Sequence, residues 1–430
     1  MNQHSIAFKS ALRAIEWLVV ALIAWYLALI LPEYLNDQND FNEYFYHAGW
    51  RLAHRLSPYD FVSPFGDRFM YPPWFALLMV PLSLLPVRFA AVCWMAINLG
   101  MLAVSVVLAK RLCGLNFGIR RTILLVLVLA LSPPAQAHFA YGQHALLPAA
   151  AAFGAVLALK SNRPWLAGCL LMIAASKPQL VFLLVPGLSL WEWKHQKSGR
   201  VFAGFTLSVF AALLVCLLIT PVWVSDLFKP FPSASGTPIS TRLLLISCFG
   251  AHTAIETIFF VVLALGSIGL MWLWFRPEAT LLEAASITLA ATPVLSPHAQ
   301  LHDYVILILP LLLVSSRLYR AAGTARPWSI APVAIASWVI VSLHGWTHQL
   351  IEREWMWALL RTWIGEESVA YLWEQSKWNW RFIAMLLPLG LLAILGRQWA
   401  MHSFETRGRD TQEILLAAVI ETGNDKEAIN

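Results

Sequence analysis

Charged residues are scarce in this sequence of 430 residues: Asp, Glu, Lys and Arg make up 13% of it, against about 25% in ordinary soluble domains. Hydrophobic residues reach 59%, and the mean hydropathy is +0.65. A soluble protein of this length has no interior large enough to bury so much apolar surface. The composition therefore excludes a soluble enzyme, a secreted disulfide scaffold and a nucleic-acid-binding module, and predicts a helical membrane protein with many spans.

Cysteine is scarce as well. The five cysteines stand singly within or beside apolar runs, and no two of them form a CxxC pair. We interpret them as small hydrophobic residues in packed helices, not as disulfides or metal ligands. The net charge of +6 indicates no particular partner, because basic residues in such a protein mainly report topology.

Uncharged stretches predict the membrane spans, since about 20 helical residues cross a hydrocarbon core of about 30 Å. The stretch 122–159 is too long for one span, and Pro133, Pro134 and Gly142 divide it into two predicted helices joined by a tight outer turn. The stretches are residues 17–32, 89–109, 122–159, 201–225, 257–275, 284–302, 304–316, 327–351 and 382–396.

Basic residues fall in groups between successive pairs of spans, so a cytoplasmic location for every group satisfies the positive-inside rule. Two short apolar stretches between Arg163 and Lys194 are separated by Lys177 and Pro178. A short hairpin with Lys177 near its apex keeps the rule intact, whereas a single span would place later basic groups outside. The pattern predicts about twelve membrane helices with both termini cytoplasmic and a retained first helix instead of a cleaved signal peptide.

One transmembrane domain, residues 1–396, is thus predicted, followed by a cytoplasmic tail at 397–430. The outer loops are long, and the first of them, residues 33–88, contains two segments at 45–56 and 71–86 that we expect to form helices on the outer surface. The last large outer loop, 348–380, is rich in tryptophan. We interpret it as an interfacial aromatic belt, with sugar stacking as the alternative.

Three carboxylates, Asp37, Asp40 and Glu43, open the first outer loop. Asp37 and Glu43 have the character of solvated groups at a helix mouth. Asp40 instead begins the stretch DFNEYFYHAGWRL, which continues through SPYD at 57–60 into FMYPPWFALL at 69–78. Three further stretches accompany it: GQHALLP at 142–148, AGCLLMIAASKPQ at 167–179 and LSPHAQLHDY at 295–304.

These segments resemble the GT-C membrane glycosyltransferases and, more narrowly, glycosyltransferase family 87, the polyprenyl-phosphate-mannose-dependent α-mannosyltransferases. The resemblance covers residues 37–310. It implies a GT-C fold in a bacterial cytoplasmic membrane, with the active site on the outer side. It also implies a polyprenyl-phosphate sugar as donor, a glycolipid or glycan as acceptor, and no metal or other cofactor. We expect a monomer with no nucleic-acid partner.

Asp40 matches the acidic residue that is proposed as the general base of that family. An acceptor hydroxyl is a poor nucleophile, and a carboxylate within hydrogen-bond reach can take its proton as the new bond forms. Inversion needs only this one base. A retaining enzyme would need a second carboxylate about 5 Å away, and the loop sequence does not indicate one.

Lys177 lies between two apolar stretches, where a charge is costly in lipid, so we expect it to face an anion. It is predicted to hold the donor phosphate together with the amides that follow at Pro178, or else to be a snorkelling lysine of the hairpin turn. His302 matches a family histidine and is preferred over His298 for donor phosphate or sugar binding, with helix capping as the alternative. Asp303 replaces the second histidine of the family pattern. These three residues also permit a metal site, which the lack of further ligands disfavours.

Further candidates complete the predicted site. Gln143 and His144 are predicted to hydrogen-bond the sugar or simply to form the turn, and Arg68 to assist with phosphate; Arg242 and Tyr71 are the remaining candidates. A secondary transporter is the alternative function, because twelve helices with both ends inside also fit that class. The absence of matching halves and the long outer loops favour an enzyme.

Overall fold

The computed structural model describes residues 39–63, 68–227, 240–250, 253–321 and 384–401, together with positions 21, 362 and 365. The regular secondary structure of these residues is helical, and their only β-pairing is an isolated antiparallel bridge between Val62 and Arg68. A π-helical turn at Phe41–Phe45 leads directly into the first α-helix, and 3-10 helices at Pro178–Leu180 and Leu301–Leu307 follow the α-helices Pro164–Ala174 and Leu281–Leu295. The α-helices are α1 (Tyr46–Ala53), α2 (Pro73–Ser83), α3 (Val87–Leu112), α4 (Ile119–Ala130), α5 (Pro133–Ala140), α6 (Leu146–Lys160), α7 (Pro164–Ala174), α8 (Leu184–Gln196), α9 (Arg200–Ile219), α10 (Trp223–Leu227), α11 (Thr241–Phe249), α12 (Thr253–Phe275), α13 (Leu281–Leu295), α14 (Ile308–Ala321) and α15 (Ala384–Met401).

Four of the described helices, α3, α9, α12 and α15, are long and apolar enough to cross a membrane, and the bent pair α4 and α5 makes a fifth if it counts as one span. Helices α2, α6, α7 and α13 are apolar but shorter. The predicted spans at 17–32 and 327–351, the tryptophan-rich loop, Asp37 and the tail beyond Met401 lie outside the described residues. The count of twelve helices therefore stays a prediction.

The stretch 122–159 forms three helices in place of the two predicted. Helix α4 ends at Ala130, and the chain bends by 70° into α5. Pro133 and Pro134 begin the new helix because proline tolerates the first turn, where its missing N–H is not needed. A second break follows at residues 141–145, so both predicted breaks are used, and α5 lies between them.

Helices α7 and α9 run parallel to each other. A Cβ added to Gly204 would lie 2.8 Å from the Trp165 carbonyl oxygen, and four residues further along each helix the Ser208 hydroxyl contacts Cys169 Sγ at 3.2 Å. Because both helices begin at the same end of the bundle, α8 must bring the chain back between them. Helices α7 and α8 thus have the arrangement of a short hairpin, with Lys177 in the segment that joins its limbs.

Several loops meet at one end of the bundle, which we call the basic end. It is defined by six basic residues in or beside these loops: Lys110, Lys160, Lys194, Arg200, Arg276 and Arg317. The start of α7 and the start of α9 also lie there. Three contacts join its loops: Lys160 Nζ donates to the Leu112 carbonyl at 3.5 Å, Lys194 Nζ to the Phe275 carbonyl at 2.9 Å, and Arg317 Nη1 to Gln398 Oε1 at 3.1 Å.

The segment predicted as the first outer loop contains α1 and α2, which pack on each other. A Cβ added to Gly49 would lie 2.7 Å from the backbone of Met79. Phe41, just before α1, stacks on Trp94 of α3 with ring centroids 5.5 Å apart. The two helical segments expected at 45–56 and 71–86 are therefore present and packed against the bundle, and their position on the outer membrane surface stays a prediction.

Candidate active site

The turn between α5 and α6 holds Asp40 against the end of the bundle that lies opposite the basic end. Gly142 has a φ of +59°, and a Cβ there would lie 2.7 Å from Asn39 Oδ1, so only glycine fits. The Asp40 amide donates to the Tyr141 carbonyl at 3.0 Å, and the Trp94 indole donates to the Gly142 carbonyl at 2.9 Å. These bonds fix the beginning of the described first outer loop to the turn.

Lys177 lies in the hairpin, where the chain cannot stay helical because Pro178 forces the preceding residue into an extended conformation. Its side chain is 2% exposed. The ammonium contacts Gln143 Oε1 at 3.1 Å, His302 Nε2 at 2.9 Å and Asp303 Oδ1 at 2.5 Å. This buried cation thus has partners in two other segments of the chain, and one of these partners is the Asp303 carboxylate.

The second of these segments is the 3-10 helix that follows α13. The backbone turns extended at Ser296, and Gln300 with Asp303 forms the capping box that starts the 3-10 helix. Asp303 Oδ2 accepts a hydrogen bond from the Gln300 amide at 3.0 Å, while its other oxygen contacts Lys177. Tyr304 anchors the helix, because its hydroxyl contacts Met385 Sδ of α15 at 3.2 Å.

A single side chain connects Asp40 to this buried cation. Gln143 Nε2 donates to Asp40 Oδ2, and the carbonyl oxygen of the same amide accepts from Lys177. Asp40 is half-buried, whereas the side chains of Gln143, Lys177, His302 and Asp303 are buried. We call Asp40, Gln143, Lys177, His302 and Asp303 the polar network. It runs from a reachable carboxylate to an interior ammonium, so the arrangement can place a proton acceptor close to a cation.

Two further candidates, His144 and Tyr71, lie in an aromatic cluster beside the network. The His144 ring stacks on Phe75 with centroids 4.1 Å apart and meets Tyr71 edge-on at 4.5 Å. The Tyr71 carbonyl accepts a hydrogen bond from the Tyr59 hydroxyl at 2.8 Å. Burial raises the pKa of the Tyr59 phenol above its usual value, so this hydroxyl stays a donor.

The remaining candidates have other surroundings. Arg242 contacts Glu256 through two nitrogens, at 2.8 Å and 2.5 Å, a carboxylate partner that the sequence did not suggest. His298 lies in the loop between α13 and the 3-10 helix. Arg68 is placed by its bridge to Val62. The structure therefore brings five of the predicted site residues together in the polar network, and Arg242, His298 and Arg68 are not part of that network.

A buried pair was missed by sequence reasoning. His138 Nε2 and Asn98 Oδ1 lie 2.9 Å apart, and both side chains are buried. The available signal was a polar residue inside an apolar run, since Asn98 interrupts the span at 89–109, and polar groups in such positions generally have a partner.

No group of three or more His, Cys, Asp and Glu side chains among the described residues is arranged to hold a metal ion. His302 and Asp303, which the sequence left open as part of a metal site, contact Lys177 instead. The expected independence from metal stays a prediction.

A family model described as glycosyltransferase family 87 matches residues 69–297, more than half of the chain. The matched region includes Gln143 and Lys177, begins after Asp40 and ends before His302. Comparisons with curated proteins and with solved structures give no significant match.

Proposed function

This chain belongs to glycosyltransferase family 87, and from that premise we propose that it transfers mannose from a polyprenyl-phosphate donor to a glycolipid or glycan acceptor. The transfer takes place at the outer face of the bacterial cytoplasmic membrane. The observation that carries the proposal is the polar network. Four segments that are far apart in sequence bring a half-buried carboxylate and a buried ammonium to one end of a helical bundle.

The distribution of charge supports the outward orientation. The Lys and Arg residues that define the basic end lie in or beside loops that contact one another there, and cytoplasmic loops carry the excess of Lys and Arg in membrane proteins. The polar network lies at the opposite end of the same helices. With the basic end in the cytoplasm, the network faces the outer leaflet, from which a lipid-linked sugar can enter sideways.

The chemistry requires one base and one leaving group. Asp40 accepts the proton of the acceptor hydroxyl while that oxygen forms a bond to the anomeric carbon of the sugar. The bond between this carbon and the phosphate oxygen breaks, and polyprenyl phosphate leaves with the electron pair. A single displacement of this kind inverts the anomeric centre and needs no second carboxylate.

The donor phosphate binds at Lys177 in this proposal. The ammonium already contacts three groups, with Gln143 and His302 at hydrogen-bond distance and Asp303 as its ion-pair partner, so a phosphate must displace one of them. His302 is the partner that exchanges, because this uncharged acceptor holds an ammonium less strongly than the Asp303 carboxylate does, and because Gln143 is also held by its hydrogen bond to Asp40. The displaced imidazole then lies beside the phosphate and can donate to it.

The secondary transporter considered above is set aside, because the family is one of glycosyltransferases. The choice of mannose rests on the resemblance to that family. A lipid-linked pentose such as arabinose is the alternative donor sugar, since selection among sugars depends on a few hydrogen bonds.

Transfer by the purified protein in liposomes tests this function. We expect radiolabelled mannose to move from polyprenyl phosphate to a membrane glycolipid fraction, and Asp40→Asn to abolish most of the transfer. Polyprenyl-phosphate arabinose and polyprenyl-phosphate glucose serve as parallel donors. Transfer from the arabinose or the glucose donor alone would overturn mannose as the donor sugar, but it would still support a polyprenyl-phosphate sugar as the donor. Absence of transfer from all three would overturn the donor class.

A further inference from the structure

We propose that Gln143 is a positioning residue for the base, and that Lys177 decides which way its amide points. This inference rests on the proposed function, in which Asp40 takes the proton of the acceptor. Gln143 lies between the two groups and contacts both of them. It thus joins the part of the site that handles the acceptor to the part that handles the donor.

The direction of the amide follows from the chemistry of its neighbours. An ammonium carries three donors and no acceptor, so the atom of Gln143 that faces Lys177 at 3.1 Å must be the carbonyl oxygen Oε1. The NH₂ group is then turned toward Asp40 and donates to Oδ2. The reversed amide would direct NH₂ at the ammonium and Oε1 at the carboxylate, and both hydrogen bonds would be lost.

The contact with Gln143 also sets the rotation of the Asp40 carboxyl group. The Asp40 backbone is fixed by the hydrogen bond that its N–H group donates to the carbonyl of Tyr141, two residues before Gln143. A second contact, through Oδ2, then determines the direction in which Oδ1 points. Positioning of a base matters because proton transfer requires the two heavy atoms to be about 2.6–3.2 Å apart.

A hydrogen bond donated to a carboxylate favours its charged form, which is the form that accepts a proton. Loss of the Gln143 donor should therefore move the acid limb of the pH profile of kcat/KM to higher pH. Other charged or titratable groups around the described site are Glu43 on the π-helical turn after Asp40, Tyr71 of the aromatic cluster, His138 of α5, Tyr141 and His144 on the turn, Lys177 of the hairpin, His298 of the loop before the 3-10 helix, and His302 and Asp303 of that helix. The variants below leave all of them in place.

Two substitutions separate the donor from the acceptor function of the amide. Gln143→Leu removes both, and we expect a kcat loss of about tenfold or more and an acid limb about one pH unit higher. Gln143→Glu keeps an acceptor for Lys177 but sets a second carboxylate beside Asp40. It should move the acid limb further than Gln143→Leu does, because like charges disfavour the charged base. Donor KM should change less in Gln143→Glu than in Gln143→Leu.

The assay is transfer from polyprenyl-phosphate mannose across pH, with thermal unfolding in detergent as the control for folding. A wild-type acid limb in both variants would overturn the inference, even if kcat falls, since a merely structural role leaves the pH profile in place. If Gln143→Leu does not fold, Gln143→Asn replaces it, because the shorter amide cannot reach both partners. A wild-type profile in Gln143→Asn would overturn the inference as well.

The outcome for Asp40→Asn in the same series keeps this inference apart from the proposed function. Full activity in Asp40→Asn would show that Asp40 is not the base, and the proposed mechanism would be overturned. An inactive Asp40→Asn together with unshifted Gln143 variants leaves the mechanism standing and overturns only the positioning role.

Discussion

Two ion pairs lie at opposite ends of the bundle: Lys177 with Asp303, which is buried, and Arg317 with Glu283, of which only the carboxylate is buried. At the basic end the Glu283 carboxylate also accepts from the Thr280 amide at 3.1 Å and from the Thr280 hydroxyl at 2.8 Å, which completes the capping box of α13. Arg317 is 27% exposed, so this pair is partly solvated. The Glu283 carboxylate caps the start of α13, and its pairing with Arg317 joins α13 to α14, so the role of this pair is structural.

The pair at the other end has different surroundings. Lys177 and Asp303 are 2% and 1% exposed, and the ammonium also contacts Gln143 and His302, the latter 125 positions away in sequence. From Gln143 the contacts continue to the half-buried Asp40. An ion pair with a buried carboxylate is therefore not by itself a sign of a site. The distinguishing feature is its connection to a reactive group that a substrate can reach.

The largest effect on activity should come from Asp40→Asn. The substitution keeps the side-chain shape and the backbone bond to Tyr141, so thermal stability should be nearly unchanged. Loss of the proton acceptor should lower kcat by about 10²–10⁴-fold. Glu43→Gln, three residues away, is the matched control and should cost less than about tenfold, as should Asp37→Asn. If either control is the intolerant one, the base is misassigned.

Lys177→Ala should affect both binding and stability. We expect the donor KM to rise by about 10–100-fold, as for loss of a charge-assisted contact of about 1.5–3 kcal/mol. Removing one partner of a buried pair should also destabilise the protein by about 3–5 kcal/mol, because Asp303 is left unpaired. Lys177→Arg should recover part of the KM.

The double variant Lys177→Ala/Asp303→Asn separates these two effects. It removes the unpaired carboxylate, so thermal unfolding should show part of the stability restored while the donor KM stays high. An unchanged donor KM in Lys177→Ala would return this lysine to a structural role in the hairpin turn and erase the difference between the two ion pairs.

The smallest effect on activity should come from the basic end. Glu283→Gln removes the charge that Arg317 and the Thr280 cap share, and it should lower the free energy of unfolding by about 1–3 kcal/mol. Arg317→Gln should cost less, because its guanidinium is partly exposed. The kcat of both variants should stay within about twofold of wild type, since neither group contacts reacting atoms. A large loss of kcat at unchanged thermal stability would contradict the structural role.

Much of the helical framework could be predicted, because hydrophobic length is a local property of the chain. The apolar runs at 89–109, 201–225, 257–275 and 382–396 correspond to α3, α9, α12 and α15. The region at 122–159 was harder to predict. Its proline pair and its glycine are both breaking signals, and only packing decides whether the segment between two breaks stays helical.

The candidate site was predictable as a set of residues but not as an arrangement. Lys177 and Gln143 were singled out as polar groups beside apolar segments, and their mutual contact was not foreseen. His144, expected at the sugar, packs among aromatic rings, and Arg242, expected at phosphate, has Glu256 as its partner. A short stretch of sequence specifies a side chain and indicates the local backbone conformation, but it does not specify which distant segment will contact that side chain.

The sequence by itself determined that this is a helical membrane protein with the motifs of a glycosyltransferase, since apolar length, charge distribution and motif order are all properties of the linear chain. Only the tertiary structure decided that the Asp40 carboxylate, the Gln143 amide and the Lys177 ammonium form one network paired with Asp303. The physical reason is that a buried charge needs a partner. The partner for Lys177 comes from a segment more than a hundred residues away, and the packing of the helices between them determines whether the two side chains meet.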